Sequence, residues 1–175
     1  GDITLNGNLI SAGGTASTTG KTGGAITLTA GTGSTNGTIT VSTLTSTGSA
    51  GSGSGNDGGP GGSIAIDTLT EGITLTNNIT SSGGASGGGA GSVGAGGTIN
   101  IKDSVTLSSN SVSLDSGSSS SGNVILGSTV DGAQDLDIIS GTGVVRLQGV
   151  VGGSTALTTL DVNVDSGQTA IINLQ

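Results

Sequence analysis

Chemistry in this chain falls to carboxylates. There is no His or Cys, and the only basic side chains are Lys21, Lys102 and Arg146, far apart in sequence. Asp135 and Asp137 flank Leu136, while Asp161, Asn163 and Asp165 alternate with Val162 and Val164. On a strand this alternation sends the apolar residues to one face and the acids to the other. Asp137 and Asp161 are 24 residues apart, one turn of a plain coil, so their carboxylates are expected to stack at about 4.8 Å. Stacked carboxylates repel unless a cation bridges them, and Ca²⁺ takes oxygen ligands of this kind. Asp135, Asp137, Asp161 and Asp165 are therefore the candidate calcium ligands. The plainer reading is a solvated acidic face that blunts association of an exposed sheet. Asn56-Asp57, within Gly53–Gly62, loosely matches a calcium-binding nonapeptide, but its Asp does not recur in the other copies. No cluster of acid with base serves general acid–base catalysis, and the chain is expected not to be an enzyme.

The elements that hold these acids come from a repeat. Ile3-Thr-Leu returns as Ile39-Thr-Val and Ile73-Thr-Leu, after 36 and then 34 residues. A second phrase, Ile26-Thr-Leu, returns as Ile64-Ala-Ile and Ile99-Asn-Ile, after 38 and then 35. A period of this length, with its variation confined to glycine stretches, marks a solenoid. Residues 3–38, 39–72 and 73–104 form three long repeats, each with a first strand, a bend and a second short strand (Leu9-Ile10, Leu44, Ile79). A Gly-rich excursion and a third strand complete each repeat. From residue 105 the coils become shorter and degenerate, with strands at Val105–Leu107, Val112–Leu114, Asn123–Leu126, Leu136–Ile138, Val144–Leu147, Leu160–Val164 and Ile171–Leu174. No composition break divides residues 1–175, so one domain is expected.

The excursions Gly13–Gly24, Gly48–Gly62 and Gly83–Gly97 should leave one corner in register. Their simplest reading is a set of length-tolerant loops; a sharper one is bare backbone packed on backbone or against a neighbouring fibre. Asn6-Gly-Asn8 and Asn77-Asn78 occupy the same corner, which suggests an amide ladder.

Composition narrows the function. Of 175 residues 38 are Gly, none is aromatic, and Ile, Leu and Val together make 41, just above the level of about 20% needed for a core. A narrow interior lined by aliphatic ladders needs no rings, and without rings sugar stacking is excluded. The net charge of −8 excludes a phosphate-binding face for nucleic acid or an anionic membrane, and no apolar run reaches the span of a membrane helix. Outward Thr pairs (Thr27/Thr29, Thr38/Thr40, Thr74/Thr76) raise an ice-binding reading, which Ala65, Asn100 and Ser42 interrupt.

Gly23-Gly-Ala-Ile-Thr-Leu-Thr-Ala-Gly31 and Asp137-Ile-Ile-Ser-Gly-Thr-Gly-Val-Val-Arg-Leu147 carry a resemblance. Over nearly its whole length the chain resembles filamentous-haemagglutinin-like adhesins and related autotransporter passengers, large secreted bacterial surface proteins. The resemblance implies an all-β, right-handed parallel β-helix, here of about five to seven coils, and an extracellular or cell-surface location. It implies attachment, matrix or fibre building rather than catalysis. Both ends of the coil are apolar and strand-like, at Ile3 and Leu5 and at Ile171, Ile172 and Leu174, with no cap. The expected partner is thus another copy, stacked head to tail and packed laterally through the glycine excursions. The alternative is a passive stalk or adhesive segment of a larger adhesin, and ice binding stands behind both.

Overall fold

The structure is a computed structural model that describes residues 1–31, 33, 35–118, 122–164 and 170–172. It is all-β, with no helix among the described residues. The first pass of the chain lays down β1 (Ile3–Leu5), β2 (Leu9–Ile10) and β3 (Ile26–Ala30). The second adds β4 (Ile39–Val41), β5 (Leu44–Thr45) and β6 (Ile64–Thr68), and the third β7 (Ile73–Leu75), β8 (Ile79–Thr80) and β9 (Ile99–Ile101). Then follow β10 (Val105–Leu107), β11 (Ser111–Asp115), β12 (Val124–Leu126), β13 (Val130–Asp131), β14 (Asp135–Gly141) and β15 (Val145–Leu147). The last pass makes an isolated bridge from Val130 to Val151 and adds β16 (Thr159–Val164) and β17 (Ala170–Ile172).

Through β15 every third strand joins the same sheet; in the last pass, whose first position is only the Val130–Val151 bridge, β16 and β17 follow two strands on. Sheet 1 runs β1-β4-β7-β10-β13, sheet 2 β2-β5-β8-β11-β14-β16 and sheet 3 β3-β6-β9-β12-β15-β17. All pairings are parallel, and no sheet closes into a barrel. Strands of two or three residues cannot stand alone; they persist because each lies on an identical neighbour.

Side-chain alternation supplies the reason. Ile39, Ile73 and Val105 stack in one inward column, Leu44, Ile79, Leu114 and Ile138 in a second, and Ile64, Ile99, Val124 and Val145 in a third. All are essentially inaccessible and belong to a single core. Full burial of each such side chain stabilises the fold by about 1.5–3 kcal/mol.

Two expectations need correction. The corner between sheets 1 and 2 holds no Asn-on-Asn ladder between Asn6-Gly-Asn8 and Asn77-Asn78. The pass that separates them, set by Ile3↔Ile39↔Ile73, places Ser42-Thr43 there. Asn78 instead accepts, through Oδ1, the Ser113 amide at 2.9 Å, and Asn77 Oδ1 accepts the Asn78 amide at 2.9 Å. Second, the pass containing β14 has a first strand, β13, that the alternation did not mark; two residues, Val130-Asp131, carry it. The expected strand end at Leu174 lies outside the described residues.

Candidate functional site

The largest departure from an ordinary sheet prism is at the corner between sheets 2 and 3. Residues 11–25, 46–63 and 81–98 leave the core there as an outgoing and a returning arm. The arms are not slack loops. Outgoing arms bond to the outgoing arm of the next pass, Gly13 N–H to Thr47 C=O (2.8 Å), Gly48 to Ser82 (3.0 Å) and Gly51 to Ala85 (3.0 Å). Returning arms do the same, Gly20 to Asp57 (2.8 Å), Gly23 to Pro60 (2.9 Å), Gly58 to Ser92 (2.9 Å) and Gly61 to Ala95 (2.8 Å). Cross-bonds tie outgoing to returning: Ser49 to Lys21 (2.9 Å), Gly59 to Ser49 (2.9 Å), Gly84 to Gly59 (2.8 Å) and Gly94 to Gly84 (2.8 Å). The three excursions thus form one hydrogen-bonded blade, and the sharper sequence reading is the one the geometry follows.

Glycine is required because backbone lies on backbone. A Cβ at Gly48 would fall 1.8 Å from the Gly59 carbonyl oxygen, at Gly58 1.8 Å from that of Gly84, and at Gly94 2.0 Å from that of Gly59. None of these glycines has positive φ, so close approach alone excludes a side chain.

At the foot of the blade stands a serine column that the sequence reading missed. Ser46, Ser81 and Ser116 are fully buried. Their Oγ atoms donate to the carbonyls of Gly24 (2.6 Å), Gly62 (2.5 Å) and Gly122 (2.7 Å), pinning each outgoing arm to a returning one. Opposite, a Cβ on Gly24, Gly62 or Gly97 would meet Ser11, Ser46 or Ser81 Oγ at 2.4, 2.4 and 2.3 Å. The signal was present: Ser11, Ser46, Ser81 and Ser116 recur every 35 residues. Ser140 continues the column, and its buried Oγ has no partner among the described residues.

The candidate calcium ligands are only partly brought together. Asp137 lies in register with Asp161 on β14 and β16, as the 24-residue spacing implies. Asp135 lies in register with Thr159, whose Oγ1 donates to it at 2.8 Å, and Asn163 Nδ2 donates to Asp137 at 3.1 Å. Asp165 lies outside the described residues. Among the described residues no three acids gather into a metal-binding group. The three basic residues likewise remain apart. Lys102 pairs with Asp67 at 2.5 Å across neighbouring passes, and that hydrogen bond raises the lysine pKa. Asp103 accepts the Thr68 amide at 2.6 Å. These groups line an open recess of about 320 Å³ together with Leu69, and among the described residues no third acid joins Asp67 and Asp103 there.

On sheet 1 the outward row Thr4-Thr40-Thr74-Thr106 is unbroken until Asp131. On sheet 3 the row from Thr27 passes through Ala65 and Asn100, as the sequence implied. One hydroxyl row is not the two-dimensional array an ice face would need.

The ends are the remaining candidates. Among the described residues, the outer edges of β1, β2 and β3 have no partner, and Ile3 and Leu5 are half-buried. Leu9, whose column is sealed from Leu44 to Ile138, is 36% exposed there; at the opposite end Val162 of that column is half-buried and Leu160 on β16 is 38% exposed. The backbone of Ile171 and Ile172 lies on β17, the outer strand of sheet 3; Leu174 is beyond the described residues. Comparison with protein-family models, with curated proteins and with solved structures finds no match.

Proposed function

We propose that this chain is a structural, extracellular protein that builds a surface fibre or matrix filament by end-to-end stacking. We read its three parallel sheets as a right-handed parallel β-helix of six coils, the hand following from the general preference of parallel crossovers. One observation carries the proposal: among the described residues β1, β2 and β3 all present unpaired leading edges with Leu9 36% exposed, while sheets 2 and 3 run on to β16 and β17 and sheet 1 follows them only through the Val130–Val151 bridge. Such edges pair with another copy of the same edge pattern. Stacking in phase continues the columns, with Val162 meeting Leu9 of the next copy and β17 meeting its β3. The aliphatic core and the hydroxyl-rich faces fit a role that depends on length and surface.

Electron microscopy and sedimentation of the purified chain test this. Filaments that lengthen with concentration are expected, and Leu9→Asp, at an exposed end position, should leave short rods. Monodisperse short rods of the wild-type chain at every concentration would overturn the proposal and favour a passive stalk.

A further inference from the structure

Among the described residues the blade belongs to the first three passes. Between β11 and β12 the excursion shrinks to residues 116–123, and between β14 and β15 to 142–144. A segment of eight residues, however it runs, can reach at most about four residues out and back, while residues 81–98 reach about nine. At roughly 3.1 Å per extended residue, the third-pass blade overhangs its successor by about 15 Å. The result is a shelf: the trailing face of residues 84–95, beside the part of the prism that carries no blade. A recess of about 230 Å³ lined by Ser82, Gly83, Val93, Gly94, Asp115 and Gly117 marks its inner end.

Backbone bonds cross the blade in both directions, forward as from Gly51 to Ala85 and back as from Gly84 to Gly59, and its two outer faces leave particular groups over. Gly51 and Gly58 donate to the third pass, but among the described residues the equivalent amides of Ser86 and Val93 find no acceptor. In the first pass, the carbonyls of Ala12, Thr19 and Thr22 occupy the positions that accept in later passes, at Thr47, Asp57 and Pro60, and among the described residues no donor reaches them. The shelf thus presents the Ser86 and Val93 amides, and the leading face of the blade the Ala12, Thr19 and Thr22 carbonyls. Unpaired backbone groups of this kind seek partners.

We propose that the shelf receives the leading blade face of a second copy, whose core lies on the far side. Rotating that copy by half a turn about the long axis places its returning arm over the first copy's outgoing arm. Both then run in the same direction, so the parallel hydrogen-bond pattern of the blade continues across the boundary. The blade is three layers thick, and under the six-coil reading above the shelf is three layers tall, about 14 Å at strand spacing. Copies staggered this way alternate left and right of one continuous blade, and the arrangement leaves both ends of each core free for end-to-end stacking.

Because the chain has no Cys, the contact can be read directly. Ser86→Cys protein mixed with Thr19→Cys protein and a short bis-maleimide linker should give an intermolecular product, and Ser86→Cys with Thr4→Cys, on sheet 1, should not. Ser86→Pro/Val93→Pro removes the two donors in extended arms, where Pro60 already shows that proline is accommodated, and should weaken lateral pairing about 30-fold. Equal products with both partners, or none with either, would overturn the shelf contact. So would unchanged pairing in a folded proline variant. Filaments that form without a cross-link between the Ser86→Cys and Thr19→Cys proteins would refute this contact and leave end-to-end stacking standing. Cross-linked pairs that never elongate would do the reverse.

Discussion

Replacing Gly48 by Ala tests whether the blade is a packed body. The new Cβ would lie 1.8 Å from the Gly59 carbonyl oxygen, 2.4 Å from its carbon and 2.6 Å from the Pro60 carbonyl oxygen. Ordinary contact requires more than 3 Å, so the outgoing and returning arms must separate by over 1 Å. That separation stretches Gly59 N–H to Ser49 (2.9 Å) and Gly84 N–H to Gly59 (2.8 Å), and tilts Ser49 N–H away from Lys21 (2.9 Å). At about 1 kcal/mol net for each, the loss is roughly 2–3 kcal/mol. Gly14 is the control, with nothing within 4 Å of its Cβ and no positive φ. Gly14→Ala should be neutral or stabilising by up to about 1 kcal/mol, through a less flexible unfolded chain. Amide hydrogen exchange is the suitable assay, since a stack of repeats loosens locally before it melts. Protection should fall at Gly51, Gly58, Gly59 and Gly84 in Gly48→Ala and persist at Ile73 and Leu75. If Gly48→Ala and Gly14→Ala exchange alike, or if the wild-type blade amides show no protection, the packed-blade reasoning is wrong.

Other consequences are open to measurement. Ser81→Ala leaves the Gly62 carbonyl without its donor and should cost about 1–3 kcal/mol; chemical denaturation reads it, and a neutral result would remove the serine column from the account. Ile99→Ala, in a fully buried column, should cost about 2–5 kcal/mol in the same assay. Asp137→Asn should raise thermal stability at low ionic strength, with the gain vanishing near 1 M salt, because it removes a stacked like charge. A chelator should leave the wild-type melting temperature unchanged, and a fall would instead reveal a bridging cation. The backbone amide of Thr38 holds the Asp2 pKa below its ordinary value, so the stability this bond contributes is present above the unfolded carboxylate pKa. It is lost as pH falls through the folded one. Asp2→Asn should flatten that acid limb of a pH–stability profile; an unaltered limb would refute the linkage.

Strand positions were legible because a period of two within a period near 35 repeats its own evidence. Ile3, Ile39 and Ile73 identify one another. Val130-Asp131 was not legible, since two residues show no alternation and only its neighbour Val105 reveals its place. The Asn corner misled because residue type was compared without register: copies alike in sequence sit two passes apart. The blade was the hardest to read. Its packing is written in side chains that are absent, and a glycine that must be bare looks the same as one that merely tolerates bareness. Gly48 and Gly14 differ only in what their neighbours' backbones do. The buried serines were there to be read, at a constant interval, but Ser is common on exposed faces and its direction depends on the pass beneath. Of the acids, the Asp137–Asp161 register was legible from spacing alone, whereas the Thr159 and Asn163 hydroxyl and amide partners became visible only once β16 was placed.

The serine column also says something about how such a chain can change. Backbone bonds close each arm onto its own return at the foot (Gly24 N–H to Ser11, Gly62 to Ser46, Gly97 to Ser81). The hydroxyls of Ser46 and Ser81 tie it to the return of the pass before, and the prism becomes indifferent to what happens further out. The excursions already differ in length from pass to pass while the strands beneath them keep their register. Each neck is therefore a natural splice point. A foreign peptide inserted between Gly53 and Gly55, or at Gly88-Gly89, would extend a fin whose root is already clamped. A family of such proteins could vary its outer surface freely along a spine that never has to be rebuilt.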